Sequence, residues 1–216
     1  MSLLTKKPNK AEMFVIINGL FCGCLIIANT IATKVLSFGS IVLAGSIIIY
    51  PIVFIIGDVL TEIYGFNLAK KTIILGLFVN FIAVIAFQLI ILLPGAHSEI
   101  SNAFTVVFET SPRVLFGCFC SYFVGSYTNA YIMDFLKERY SKHLFLRCFL
   151  STVFGELADS VIFLTISFLG VESLITLVTM IVCQVAFKIL YEVIAYPLTK
   201  TVINWMKSLD DGPLVY

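Results

Sequence analysis

Charge is scarce in this sequence. Lys, Arg, Asp and Glu make up 12% of its 216 residues, about half the share usual in soluble domains. So few charges cannot cover a water-facing surface, which excludes an ordinary soluble globule. Those present nearly cancel, at a net +1, so the basic footprint that nucleic acid needs is missing. No G-x-x-x-x-G-K-[ST] loop occurs to cradle a nucleotide. No H-E-x-x-H occurs either, and the two histidines, His97 and His143, fall in loops of opposite sidedness. Gly57-Asp58 is similar to the G-x-G-D of intramembrane aspartyl proteases, but Ile55 stands at the first glycine position. No Ser/His or Cys/His pair sits at membrane depth. An enzyme is not expected, nor a cofactor.

Apolar residues fill the chain instead: 60% are hydrophobic, with twenty Phe and nine Tyr against one Trp, and the mean hydropathy is +1.04. A transmembrane helix takes about 20 apolar residues. Six apolar stretches can be laid out, over 13–33, 41–64, 72–93, 114–135, 149–169 and 174–198. They use up the length, leaving no room for an appended ATPase or catalytic domain. The expectation is an all-α polytopic membrane protein of six transmembrane helices, one transmembrane domain over 1–216. Continuous runs favour helices over barrel strands, which would alternate over about ten residues. The first run is too long for a signal peptide and is read as a retained helix.

Positive charge orients the helices. Of the fourteen Lys and Arg, Lys6, Lys7, Lys10, Lys70, Lys71, Lys137, Arg139, Lys142, Arg147, Lys200 and Lys207 all fall in tails and loops on one face. Lys34 and Arg113 lie on the other face, and Lys188 lies within the last stretch. Cytoplasmic loops carry the excess of Lys and Arg, so both termini are expected in the cytoplasm and the protein in the cell inner membrane. The six cysteines include Cys22/Cys24 and Cys118/Cys120. Residues two apart do not share a helix face, so these pairs read as packed apolar side chains, with no metal.

A weak internal repeat is visible. Gly57-Asp58-x-x-Thr61-Glu62 is similar to Gly155-Glu156-x-x-Asp159-Ser160 at an offset of 98. The C-x-C pairs are offset by 96, and Asn29 and Asn129 by 100. A three-plus-three inverted duplication, with halves 13–93 and 114–198, would place a binding site near the midplane.

Buried charge is the strongest signal. Asp58, Glu62, Glu156, Asp159, Lys188 and Glu192 lie within the spans, where a charge costs at least about 2.5 kcal/mol and marks functional paths. Their i,i+3 and i,i+4 spacings put each pair on one helix face. Three polar stripes must therefore converge on the interior. Asn29, Thr33 and Lys34 add a fourth contribution, and Asn80, Gln88, Asn129 and Gln184 add amides. Glu62 and Glu192 sit towards helix ends where water would reach; with Lys34 they are candidates for proton or gating roles. A salt-bridge network that only orients helices is the plain alternative. Five acids against one or two bases exceed what it needs. Gly19-x-x-x-Gly23 and Gly117-x-x-x-Ser121-x-x-x-Gly125 are close-packing faces, better suited to contacts inside the bundle than to a homodimer. Pro51 would kink the second helix before Asp58, and Pro197 would end the last.

A channel would need a pore-lining ring, so a small-solute transporter is the leading class. Carboxylates, amides and aromatic rings can hold a flat heterocycle. A guanine-like edge offers two adjacent N–H donors to one carboxylate. Acids alone would equally suit an amine or a metal cation.

Tyr50-Pro51-x-x-Phe54-x-x-x-Asp58 running into Tyr64-Gly65, then Gly155-Glu156-x-x-Asp159-Ser160, and Lys188 in a final helix resemble the queuosine precursor transporter family, also called the vitamin uptake transporter family. The resemblance runs from Asn29 to Pro197. It implies import of 7-deazaguanine bases, precursors of the tRNA modification queuosine, and carries substrate-binding roles to Asn29, Asp58, Asn129, Asp159 and Lys188. Glu156 stands where some members have asparagine; the extra acid would favour an amine-bearing base such as the aminomethyl precursor or queuine over the cyano form. The alternative is a substrate-binding subunit of an energy-coupling-factor importer, which would need separate ATPase partners.

Overall fold

The computed structural model describes residues 8–31, 34–38, 41–109, 112–171 and 173–210. Seven α-helices dominate it: α1 (Lys10–Ile31), α2 (Tyr50–Tyr64), α3 (Phe66–Leu92), α4 (Ser98–Phe108), α5 (Pro112–Arg139), α6 (Leu144–Phe168) and α7 (Leu174–Lys207). Local chemistry sets several of their ends. Asn9 Oδ1 accepts the Glu12 amide at 2.8 Å while the Glu12 carboxylate accepts the Asn9 amide at 3.0 Å, a reciprocal capping box. Ser173 caps α7 by accepting the Thr176 amide. At the other end of α6, Arg113 donates to the Ile166 and Leu169 carbonyls, which the helix itself leaves open.

The helices are polar within and apolar outside. Leu92, Val106 and Ile175 are 80% or more exposed, while Asp58, Thr61, Thr72 and Ser160 are fully buried. Water would reverse that arrangement; lipid demands it. Four helices, α1, α3, α6 and α7, are long and apolar enough to cross a membrane. The bent pair α4 and α5, which meet at 47°, adds a fifth if counted as one span.

The second apolar stretch departs from the expected continuous helix over 41–64. It begins as an antiparallel hairpin of β1 (Val35–Phe38) and β2 (Ile41–Ala44), pairing Val35 with Ala44 and Phe38 with Ile41. One 3-10 turn over Gly45–Ile48 follows, then α2. The run is apolar up to Gly57 apart from Ser46, and hydropathy alone cannot tell a strand from a helix there. Pro51 therefore opens α2 rather than kinking it, since its missing N–H is free of any helical partner in the first turn. Pro197 departs in the opposite sense. It lies inside α7, which continues to Lys207. Arg147, placed by sequence in a loop, is a buried residue of α6. Helix α4 occupies part of the expected loop between the third and fourth stretches. Thr33, with Lys6 and Lys7, lies outside the described residues.

Gly65 alone joins α2 to α3, at φ 79°, a left-handed conformation that a side chain would strain. Helices α5 and α6 form the closest pair. Gly117 meets Ser167, Gly125 meets Asp159 and the Gly155 carbonyl, Asn129 meets Gly155, and Met133 meets Ser151. The register is antiparallel: each step of four along the lower half of α5 is a step of four back along α6. A Cβ on Gly125 or Gly155 would come within 2.7 Å of the facing side chain, so only glycine allows this approach. Packing of Gly117 and Gly125 is thus internal, as their spacing suggests. Gly19 and Gly23 differ: a Cβ added at either would meet nothing within 4 Å, so that face is not used inside the bundle. The apolar core sits where Phe21 and Leu25 of α1, Val59 and Leu60 of α2, and Ile73 of α3 meet Tyr122 of α5 and Ile203 of α7. Cys22 and Cys24 pack against it, and the six cysteines are free.

Candidate functional site

The charged residues of α2, α6 and α7 meet in three groups, one above another. In the first, Lys188 of α7 reaches between two acids of α6. Its ammonium donates to Asp159 Oδ2 at 2.8 Å and pairs with Glu156. Tyr50, at the first turn of α2, turns its ring to the same ammonium, 5.0 Å from the centroid, a cation–π contact. Lys188, Glu156 and Asp159 are all buried. One cation faces two carboxylates, so this group holds an excess of acid.

Eight residues along α2, about 12 Å further, lies the second group. Asp58 is fully buried, and neither carboxylate oxygen has a hydrogen-bond partner. The Cys148 thiol of α6 and the Asn129 amide of α5 lie against it, with Glu192 of α7 a neighbouring acid. Glu192 Oε1 and Asn129 Nδ2 are likewise buried and unpartnered. Among the described residues no ion pair reaches Asp58 or Glu192.

One turn beyond, Glu62 gathers the third group. Arg147 of α6 grips its carboxylate through two nitrogens, at 2.6 and 3.1 Å. Lys207 of α7 donates at 2.6 Å, and Lys137 of α5 donates to the Glu62 carbonyl at 2.6 Å. Three helices are tied to the end of α2 at one residue. The expectation that water reaches Glu62 and Glu192 at helix ends is not met: each is 3% exposed, because α5, α6 and α7 extend past them and close over that end.

The structure therefore brings together Asp58, Asn129, Glu156, Asp159, Lys188 and Glu192. It leaves Lys34 exposed near the hairpin. Asn29 is half-buried near the end of α1, with no hydrogen bond to these groups. Tyr50, Cys148, Arg147 and Lys207 were not singled out as site residues by sequence. Tyr50 did carry a signal, standing in the Tyr50-Pro51 motif; Arg147 and Lys207 read as ordinary loop and tail cations. Among the described residues no His, Cys, Asp and Glu are grouped to hold a metal ion.

Beside the second group is a small cavity between α1, α2, α3 and α5. Phe21, Phe54, Gly57, Ser126 and Asn129 are among its lining. It has room for about one water molecule. Two rings, a hydroxyl and an amide share its wall with apolar side chains.

Comparison with known proteins decides the family. Residues 44–202 match the family model described as "Putative vitamin uptake transporter", which takes in α2 to α6, most of α7 and every member of the three charged groups except Lys207. The chain belongs to the vitamin uptake transporter family. A relative from Bacillus subtilis (strain 168), named "Probable queuosine precursor transporter", is 29% identical over 127 residues; the match covers 57% of this chain and 56% of that protein. The chain thus spans little more than half the length of that relative. No solved structure matches. Membership makes this vitamin uptake transporter family protein a membrane protein, in keeping with its apolar exterior.

Proposed function

We propose that this protein imports queuosine precursors, 7-deazaguanine bases such as queuine and the aminomethyl and cyano forms, across the cytoplasmic membrane. The observation that carries this reading is the excess of buried acid around Lys188. Glu156, Asp159 and Asp58 offer carboxylates to the adjacent N–H donors of a guanine-like edge. Lys188 and Asn129 offer donors to its carbonyl, and Asn29 would join as the halves move. Glu156 supplies the extra negative charge that an amine-bearing base would meet. Glu62, Glu192 and Lys34 then serve the moving parts, as proton-carrying or gating groups.

The architecture we infer is a single domain over 1–216 with six spans, both termini cytoplasmic, in two inverted halves over 13–93 and 114–198. Helix α2, at 15 residues, is about 22 Å long and falls short of a bilayer's 30 Å. The hairpin and 3-10 turn before it would complete a discontinuous span, a form that transporters use at binding sites. The Lys10 amide donates to the Asp210 carbonyl at 3.1 Å, which supports both ends lying on one side. Gly57 and Gly155, equivalent in the repeat, both approach Asn129. The open Gly19/Gly23 face of α1 would be the place for a homodimer.

The test uses a bacterial host lacking its own precursor synthesis and importer, but holding the downstream enzymes. This chain is expressed there, nanomolar precursor supplied, and queuosine in tRNA measured. Restored queuosine, abolished by Asp58→Asn and by Lys188→Ala at matched membrane abundance, is expected. No restoration despite good membrane expression would reject a solitary importer and point to an ATPase-dependent subunit or another solute.

A further inference from the structure

The first charged group is an ammonium site that already has an occupant. Two carboxylates of α6 and one aromatic face of α2 close around a single Nζ. Asp159 Oδ2 accepts from it at 2.8 Å, Glu156 pairs with it, and the Tyr50 ring centroid lies 5.0 Å away. The three charged side chains are each at most 8% exposed. Carboxylates satisfy the three N–H donors of an ammonium, and a ring face attracts a cation that has left water. A metal ion would want further oxygens in place of the ring, and the described residues group no third acid, His or Cys to hold one. The chemistry of this cradle is that of an organic ammonium.

Its occupant, Lys188, is such an ammonium on an alkyl stem, tethered to α7. One positive charge answers two carboxylates here, and among the described residues no second cation pairs with Glu156 or Asp159. Burial makes such an imbalance unfavourable, and a second ammonium would remove it. The group also lies nearest the thinly packed end of α7. Of the residues that precede Lys188 in that helix, Leu177 alone is buried.

We propose that Lys188 is a tethered stand-in for the amine of the substrate, and that Glu156, Asp159 and Tyr50 form an alkylammonium subsite. An amine-bearing base enters with its ammonium between the two acids and against the Tyr50 ring. Lys188 yields that place and turns its Nζ to the carbonyl of the base, so two acids then face two cations. No covalent bond changes. When the base leaves, Lys188 returns, and the acids are never left bare in the membrane. A neutral base undergoes no such exchange. The subsite stands on the contacts around Lys188; that its ligand is a 7-deazaguanine rests on the transport reading above.

Titration calorimetry on the purified full chain separates the two. Lys188→Ala vacates the subsite, so the preference for the aminomethyl base over the cyano form should rise at least about tenfold over wild type, the worth of one charge-assisted contact. Adding Glu156→Gln to that variant should cancel the gain. The fragment that the substitution removes is n-propylammonium. It should compete with the aminomethyl base for Lys188→Ala and leave the cyano form untouched. A preference that stays level or falls, or an aminomethyl base that propylammonium does not displace, overturns the exchange. Should Lys188→Ala fail to purify, Lys188→Gln carries the same expected rise in preference, and a level preference there is equally fatal. If wild type binds neither base, the transport reading falls by itself. Propylammonium then decides the subsite: a melting temperature of Lys188→Ala raised by it, not by propanol, and only while Glu156 is present, upholds the cradle. No rise overturns that as well.

Discussion

At the scale of single residues, Lys188 shows how much one side chain can be asked to balance. Its ammonium satisfies two acids of α6 and leans on the Tyr50 ring of α2. The ring face is part of its solvation, worth up to about 2 kcal/mol once desolvated. Tyr50→Phe keeps the ring and should leave uptake within about twofold, whereas Tyr50→Leu should lower it at least about fivefold. Initial rates at matched abundance would decide, and equal losses would mean the hydroxyl or the backbone carries the role. Glu156 tests the substrate side. Glu156→Asn should weaken competition by an amine-bearing base relative to the cyano form by about tenfold, the worth of one charge-assisted contact. An unchanged order of competitors would remove that argument. These side chains were legible in the sequence because charge in an apolar run has few innocent explanations. Tyr50 was harder to read, since an aromatic residue in a membrane protein is ordinary until its neighbour is known.

Among the helices, the α5–α6 pair fixes the frame on which the site is hung. Gly125 and Gly155 bring the two backbones together, and that approach seats Asp159 against Gly125 and Asn129 against Gly155, one turn apart on the seam. Gly155→Leu should force the helices apart, costing about 1–3 kcal/mol, visible as a lowered melting temperature and lost uptake. Gly23→Leu, where an added Cβ meets nothing within the chain, should leave the monomer's melting temperature unchanged; a drop in the monomer would show that α1 is packed inside the bundle, and a change in association alone would fit the homodimer. The sequence revealed both small-residue faces but not which one is used, because spacing records what a helix permits and not what is opposite. The same limit explains the second stretch. Hairpin, 3-10 turn and α2 share one apolar run, and only Pro51 marked where the helix could begin. Pro197 misled in the other direction: its neighbours in α7 hold the helix together on both sides of the missing bond.

Seen whole, the molecule carries its charges as a file from Lys188 through Asp58 and Glu192 to Glu62, and the far end of that file is tied shut. Arg147→Ala should destabilise the fold by about 3 kcal/mol, since it leaves a buried acid short of its main partner. Lys207→Ala should cost at most about 1 kcal/mol, because that side chain is half exposed. Thermal melts of the two variants would rank them, and the reverse ranking would show that α7, not α6, holds the end. The sequence could not foretell this closure, since Arg147 and Lys207 stand among residues that read as loop and tail. The two grips on Glu62 also differ in what can loosen them. Salt screens an exposed lysine strongly and a buried arginine hardly at all. The knot therefore behaves as a lock with one tumbler on the outside and one within: the ionic strength of the surrounding water can turn the first, but only a movement of α6 itself can turn the second.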